Sequence, residues 1–447
     1  MIRPIYQLLV NLVGPPVAVL ASLKGRFGGR WRERLGLSFA PRPTPGRPRV
    51  WFHGASVGEV RSAAKIIEAL WNLRPRAEII LTSGTPLGLE TAINLFAAGR
   101  AASGTSSPER RVSVLAAPLD FWGAPARAMA RLKPAALVIM ETELWPNLIY
   151  QAQAAGIPLM LAAARLTRRS FGRYRLARGF MADLLNRFDL IAASGPLEYE
   201  LYSALGATPG RMKIMGNPKY DGLAEEVTTR EFLARRAGWA ARFWSEEGRA
   251  PLITAGSTHS GEEELILTAF EKLRLNFPQA RLLLAPRHLN RVEEVLSMAR
   301  ARGLSAEKTG RPGDGPLSPE NKVLVLDSLG QLTAIYALSA VVVVGGSLRP
   351  GLTGHNPLEP AAVSAPLMFG PYMAGFQREA AALLLAGGAL ETASDRLADD
   401  LAAWLDDPQT AAAAGRAAHC YLTEQPPAAP ALAQALADLL AGAGNLK

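Results

Sequence analysis

The stretch Ala340-Val341-Val342-Val343-Val344, followed by Gly345-Gly346-Ser347-Leu348-Arg349-Pro350-Gly351-Leu352-Thr353-Gly354-His355-Asn356-Pro357-Leu358-Glu359-Pro360, decides the fold. The valine run is too short and too uniformly apolar for an amphipathic helix, and reads as a strand buried on both faces. A glycine-rich turn follows, and Asn-Pro then opens a helix with Glu359 in its first turn. Strand, small-residue turn and helix start is the unit from which parallel α/β sheets are built. Such turns let a ligand approach the backbone closely, and a carboxylate beside them can accept hydrogen bonds from a sugar.

Working outward, the same unit recurs on both sides. Leu252–Ala255 leads into Gly256-Ser257-Thr258-His259-Ser260-Gly261-Glu262, Arg281–Ala285 into Pro286-Arg287-His288, and Lys322–Leu326 into Asp327-Ser328-Leu329-Gly330-Gln331-Leu332. In the first half, Val50–His53 leads into Gly54-Ala55-Ser56-Val57-Gly58-Glu59, with helical spacing from Val60 to Leu73. Further strand signals lie at Glu78–Ser83, Arg111–Leu115, Ala135–Met140, Pro158–Ala163, Asp189–Ala193 and Met212–Met215. This alternation predicts two doubly wound parallel sheets. Residues 222–249 are polar and helical without strand signals, so the domain boundary is placed there. The expected organisation is an anchor and basic linker over 1–48, a first domain over 49–225, and a second over 250–447 that includes the alanine- and leucine-rich C-terminal helices.

With 447 residues, 49% of them hydrophobic, the chain is long enough for two or three domains of about 100–200 residues each. A single cysteine, Cys420, excludes an intramolecular disulfide framework and a multi-cysteine zinc site. The net charge of +10 is concentrated at the N-terminus, where residues 1–48 hold Arg3, Lys24, Arg26, Arg30, Arg32, Arg34, Arg42 and Arg47 against Glu33 alone. The remainder is nearly balanced, which argues against a nucleic-acid partner. Ile5 to Leu23 contains no charge and precedes the basic tract, the reverse of a cleaved signal peptide. It reads as a membrane anchor, either spanning the bilayer or lying in one leaflet, with a buried core helix as the alternative if Pro15 and Pro16 break the span. The flanking positive charge would keep the bulk of the protein in the cytoplasm.

Candidate chemistry sits at the strand ends. Glu59 is in a helix first turn, which suits either a helix cap or a reactive group at a sheet edge. Glu141 and Glu143 end a buried strand, where carboxylates are costly unless solvated, paired or used. Arg165, Arg168, Arg169, Arg173 and Arg175 form an acid-free cluster, either a solvated helix face or a phosphate-binding surface. There is no P-loop, no early G-x-G-x-x-G, no HExxH and no nucleophile elbow, and the five histidines lack close metal-ligand spacing. Carboxylates, basic residues and glycine turns over two α/β halves suit transfer of a sugar from a nucleotide donor to a hydroxyl.

Six strings occur in order: HGASVGE at 53–59, METELWPN at 140–147, AARLTRRS at 163–170, AGSTHSGEEE at 255–264, APRHLNR at 285–291 and GGSLRPGLTGHNPLEPAA at 345–362. Together they closely resemble the 3-deoxy-D-manno-octulosonic acid (Kdo) transferases of lipopolysaccharide synthesis, from the apolar N-terminus to about Phe376. The resemblance implies a GT-B glycosyltransferase, two facing Rossmann-like domains with the active cleft between them. It implies CMP-Kdo as donor and a lipid A precursor (lipid IVA) as acceptor, at the cytoplasmic side of the inner membrane, with no cofactor. Glu59 would be the general base, and Glu141 and Lys219 would stabilise the transition state. Pro286, Arg287, Gly330, Gln331, Leu332, Asn356, Pro357, Leu358 and Glu359 would hold CMP. Two departures stand out: Asn217 and Pro218 precede the retained Lys219, and Gln331 stands where relatives often have glutamate. A metal should not be needed, because lysine, arginine and helix N-termini can offset leaving-group charge. Arg168, Arg169 and Arg173 are candidates for the acceptor's phosphates.

Overall fold

The computed structural model describes residues 2–23, 30–37, 43–96, 110–121, 123–244 and 249–444. The chain divides into two units, Met1–Asp221 with Pro427–Lys447, and Gly222–Pro426. Each is built on a seven-stranded sheet.

In the first unit the strands are β1 (Arg49–Gly54), β2 (Glu78–Ser83), β3 (Arg111–Ala116), β4 (Ala136–Met140), β5 (Leu159–Ala164), β6 (Leu190–Ala193) and β7 (Met212–Ile214). Their order is β3-β2-β1-β4-β5-β6-β7, all parallel, with Val50 opposite Ile79 on one side and Ala136 on the other. Winding therefore reverses between β1 and β4, the place where open α/β sheets leave a crevice at the strands' carboxyl ends. Both faces are covered, as parallel sheets require. Val50 and Phe52 join one core with Ile67, Leu70 and Trp71, while Trp51 points into the other with Leu137, Ile149 and Phe188.

The second unit holds β8 (Leu252–Thr258), β9 (Arg281–Pro286), β10 (Ala306–Lys308), β11 (Val323–Val325), β12 (Val341–Val344), β13 (Leu367–Phe369) and β14 (Leu390–Glu391), in the order β10-β11-β9-β8-β12-β13-β14. Again all pairs are parallel and the winding reverses beside the first strand, between β8 and β12. The valine run is β12, fully buried as expected. Three strands escaped the sequence reading. β10, β13 and β14 have only two or three residues each, too few for a period to register, and β14 interrupts the region read as continuous helix.

Two domain boundaries differ from expectation. The helix Arg230–Phe243, placed in the connection, buries Phe232, Trp239 and Phe243 in a core of the second unit. The last helix, Ala428–Gly444, was assigned to the second domain but packs on the first. Leu432 and Leu436 are fully buried in the same core as Ile67 and Leu70 of helix Val57–Leu73. An alanine-rich sequence signals helix, but contains nothing that says which sheet it will cover.

The N-terminal segment forms one helix, Ile2–Leu23, through Pro15 and Pro16. Among the described residues no helix is long and apolar enough to cross a membrane. One side of this helix rests on the first unit. Tyr6 donates its hydroxyl to Asp120 Oδ2 at 2.8 Å, Gly14 lies against the ring of Phe121, and Ala18 is buried. The opposite side exposes Leu8, Leu9, Leu12, Val13 and Leu20. Residues 24–29 of the basic tract and 38–42 of the linker lie outside the described residues. At the end of the tract Arg34 is only 1% exposed and donates to the carbonyl of Gly84, while Glu33 accepts from the backbone N–H of Ala116. Arg34 and Glu33 thus brace the carboxyl ends of β2 and β3, while Arg30 and Arg32 remain exposed.

Truncating a fully buried leucine removes its transfer free energy and leaves a cavity, so Leu436→Ala should destabilise the first unit by about 2–5 kcal/mol. Urea unfolding followed by a probe in 49–221 should show that loss, although the substitution lies at the far end of the chain.

Candidate functional site

In the first unit the site grows from the ends of β1 and β4. Ser56 is the N-cap of helix Val57–Leu73 and accepts from Glu59 N at 3.3 Å, while Glu59 Oε1 receives the Ser56 hydroxyl at 2.7 Å and Oε2 the Ala55 N–H at 2.8 Å. This is a variant of the capping box, with the glutamate reaching the N–H of Ala55, one residue before the N-cap, in place of the N-cap's own. Gly54 makes room for it, since an added Cβ there would stand 3.0 Å from Glu59 Cβ. Capping alone would hold the glutamate ionised. Burial instead pushes its carboxyl up to about 7 against the pull of the Ala55 N–H, with Glu143 and Glu141 adding to the rise. Because folding raises this group from 4.5, Glu59 favours the fold fully below about pH 4.5 and progressively less up to about 7. A carboxyl that keeps half its proton near neutrality is suited to accept one in a reaction.

Glu141 follows β4 with φ of +50°, a left-handed conformation that glutamate rarely adopts, while its N–H still pairs with the Ala162 carbonyl at 2.9 Å. The turn sends the chain away from the sheet edge and brings Glu143 near His53. Burial lowers His53 to about 4, so the 3.9 Å approach of its Nε2 to Glu143 Oε2 joins a neutral ring to a carboxyl rather than an ion pair. Glu143 itself is raised by burial, against the hydrogen bond from Trp145 Nε1 at 2.8 Å, with Glu141 adding to the rise. Lys219 is half-buried in the turn after β7, its N–H given to Asn217 Oδ1 at 3.0 Å. Asn217 thus shapes the lysine's turn. Arg168 and Arg173 are exposed on helix Arg168–Arg175, which Thr167 caps. The side chain of Arg169 lies outside the described residues.

In the second unit the organising group is Glu262, in the first turn of the helix Glu262–Leu273 that follows β8. It is fully buried and accepts four backbone N–H groups: His259 at 2.9 Å, Gly346 at 2.7 Å, Ser347 at 2.9 Å and Leu348 at 2.9 Å. One carboxylate therefore ties the helix after β8 to the glycine turn after β12. The turn packs closely, since a Cβ on Gly345 would meet the Ser257 carbonyl oxygen at 2.6 Å. The rings of His259 and His355 lie edge to edge, 3° from parallel with centroids 5.1 Å apart, and their Nε2 atoms are 2.8 Å apart, so one ring donates and the other accepts.

The predicted nucleotide contacts sit around this core. β9 ends at Pro286; Arg287 gives its N–H to the Thr258 carbonyl at 2.9 Å and has an exposed side chain. Gly330 turns with φ of +75°, and Gln331 leads into helix Leu332–Tyr336. Gln331 Oε1 accepts from Trp239 Nε1 at 3.2 Å. Asn356 Oδ1 accepts from Leu358 N at 3.1 Å and its Nδ2 donates to Glu359 Oε1 at 3.3 Å, with Pro357 and Leu358 buried behind them. The structure therefore gathers Glu59 and Glu141 at the switch point of one sheet. It gathers Pro286, Arg287 and Asn356 to Glu359 at the strand ends of the other. Among the described residues no group of three or more histidine, cysteine or acidic side chains is placed to hold a metal ion.

Comparison with known proteins adds the family. Residues 29–222 match the family model described as 3-deoxy-D-manno-octulosonic-acid transferase (kdotransferase). A 3-deoxy-D-manno-octulosonic acid transferase from Haemophilus influenzae is 33% identical over 414 residues, 91% of each chain. The chain belongs to the Kdo transferase family. A second member, from Bordetella pertussis, is 29% identical over 98% of this chain and 99% of its own. The fold is shared with a glycosyltransferase from Rickettsia africae, at TM-score 0.58 over 88% of this chain and 98% of that one, with 10% identity. As a Kdo transferase the chain is an enzyme of a glycosyltransferase family, and its two parallel-sheet units accord with that fold.

Hydrogen bonds to a charged group contribute about 1.5–3 kcal/mol each. Glu262→Ala would leave four N–H groups without their acceptor and should lower stability by at least about 3 kcal/mol, with a matching drop in melting temperature. The loss should also release the 346–348 amides to rapid hydrogen exchange.

Proposed function

We propose that this Kdo transferase moves Kdo from CMP-Kdo to a hydroxyl of a lipid A precursor, with inversion and without a bound metal. Buried Glu59, its carboxyl near 7 at the sheet's switch point, carries the proposal. Its carboxylate takes the acceptor hydroxyl's proton as that oxygen bonds to the anomeric carbon of Kdo. The bond from that carbon to the phosphate oxygen breaks, and CMP leaves with the electron pair. Direct displacement of this kind inverts the centre. Lys219 would stabilise the transition state as a preorganised cationic donor, and Pro286 and Arg287 would hold CMP. Glu141, in its left-handed turn, would stabilise charge developing on the sugar. Asn356 to Glu359 and Gly330 to Leu332 would hold the nucleotide, with the glycine turn tied down by Glu262.

The acceptor is an amphiphile, so the enzyme would work at the cytoplasmic face of the inner membrane. The apolar face of helix Ile2–Leu23, fixed to the first unit by Tyr6 and Gly14, supports a position in the interface of one leaflet. The uncovered apolar side would enter the lipid, and the exposed Arg168 and Arg173 would meet the acceptor's phosphates.

Glu59→Gln tests the reaction and the base together, because glutamine can keep both partners of the capping box. Wild-type enzyme should add Kdo to a tetra-acylated lipid A precursor in the presence of a chelator, with inverted product stereochemistry. Its kcat/KM for the acceptor should rise with pH through a limb near 7, since the base works only when deprotonated. Glu59→Gln should lose about 10²–10⁴-fold in kcat, with CMP binding intact and the limb gone. Full activity in that variant would remove Glu59 from the role, and no transfer by wild type would remove the reaction. Arg168→Glu with Arg169→Glu should raise the acceptor KM and leave donor affinity unchanged; unaltered acceptor kinetics would overturn the phosphate assignment.

A further inference from the structure

The turn that presents Lys219 is held by groups with no part in the chemistry above. Lys65 lies on helix Val57–Leu73, the helix that opens with Glu59. Its ammonium donates to the carbonyl of Asp221 at 2.5 Å and to that of Lys219 at 3.3 Å. Asp221 in turn accepts from the last helix with both carboxylate oxygens, Oδ1 from Ala428 N at 3.0 Å and Oδ2 from Ala429 N at 2.6 Å. Gly216, at φ of +81°, opens the turn where a Cβ would come within 3.1 Å of Ala428 Cβ. Inside it, Tyr220 N and Asp221 N donate to the carbonyls of Asn217 and Pro218, both at 3.2 Å.

A turn that only connects elements does not need this. Holding a lysine side chain in one geometry costs rotamer freedom, and water would serve the same carbonyls. The tethers also have a direction. Helix Val57–Leu73 carries Glu59 at its start and Lys65 less than two turns later, and Ala428, Ala429, Leu432 and Leu436 of the last helix share its core. We propose that Lys65 and Asp221 are positioning residues. With the last helix they lock the backbone of Lys219 to the helix that bears Glu59, so that base and ammonium keep one spacing. The chain's final helix is thereby part of the catalytic scaffold. The proposal rests on the role given to Lys219 above.

The test compares full-length wild type with Lys65→Met, Lys65→Arg and Asp221→Asn, by initial rates with CMP-Kdo and a lipid A precursor and by hydrogen exchange of the intact proteins. Misplacement of a catalytic group by about 1 Å can cost 10²-fold. Lys65→Met and Asp221→Asn should lower kcat at least about tenfold, with both KM values and the melting temperature little changed. Lys65→Arg, which can still donate to two carbonyls, should restore most of the rate. Amides of Tyr220, Asp221, Ala428 and Ala429 should exchange faster in Lys65→Met. A wild-type kcat in Lys65→Met, or equal loss in Lys65→Met and Lys65→Arg, would overturn the positioning role. Unchanged exchange would overturn the tether itself. Wild-type protein that transfers no Kdo would overturn the assigned reaction, and the exchange comparison would still decide the tether.

Discussion

Both halves depend on a glutamate near the start of the helix that follows the central strand, turned back onto backbone N–H groups. In the first unit Glu59 reaches Ala55 and Ser56; in the second Glu262 reaches His259, Gly346, Ser347 and Leu348. The reason lies in the parallel sheet. Strands that end together leave unpaired donors where the winding reverses, and a buried carboxylate satisfies several at once. The two differ in how many donors they receive. Glu262 accepts four N–H groups and acts as structure. Glu59 has one backbone N–H and a hydroxyl against burial and two neighbouring carboxylates, so its proton is loosely decided and it is open to chemistry.

The first unit is completed by residues from the far end of the chain. Its core contains both Ile67 and Leu436, so helix Val57–Leu73 does not reach its final packing until the last helix returns. Contacts of such sequence separation slow folding, because closure entropy must be overcome before burial rewards it. Asp221 marks the seam, ending the first unit's early segment and capping the helix that comes back.

Much of the site was legible because its residues are local to strand ends. Ser56 and Glu59 show a capping box, Glu141 follows an uninterrupted apolar strand, and Asn356 to Glu359 stand where a helix must begin. What stayed hidden depended on partners distant in sequence. Glu262 looked like one of three acidic residues at a helix start, and its target turn lies more than eighty residues on. Arg34 looked like one more surface arginine in a basic tract, yet it is buried against Gly84. Lys65 and Asp221 carry no local signal at all, since their partners are backbone carbonyls and N–H groups, which every residue has.

The sequence by itself determined the alternation of buried strands and amphipathic helices, the polar strand ends and, through six strings, the family. Periodicity and turn chemistry are local, so they survive reading along one dimension. The tertiary structure alone decided which carboxylate burial would raise and which would tie two turns together, because burial and donor count are properties of surroundings. It also decided the ownership of the last helix, since apolar faces choose partners by shape and proximity and not by neighbours in the chain. That choice gives the first unit its final form, with Glu59 and the Lys219 turn braced by one helix.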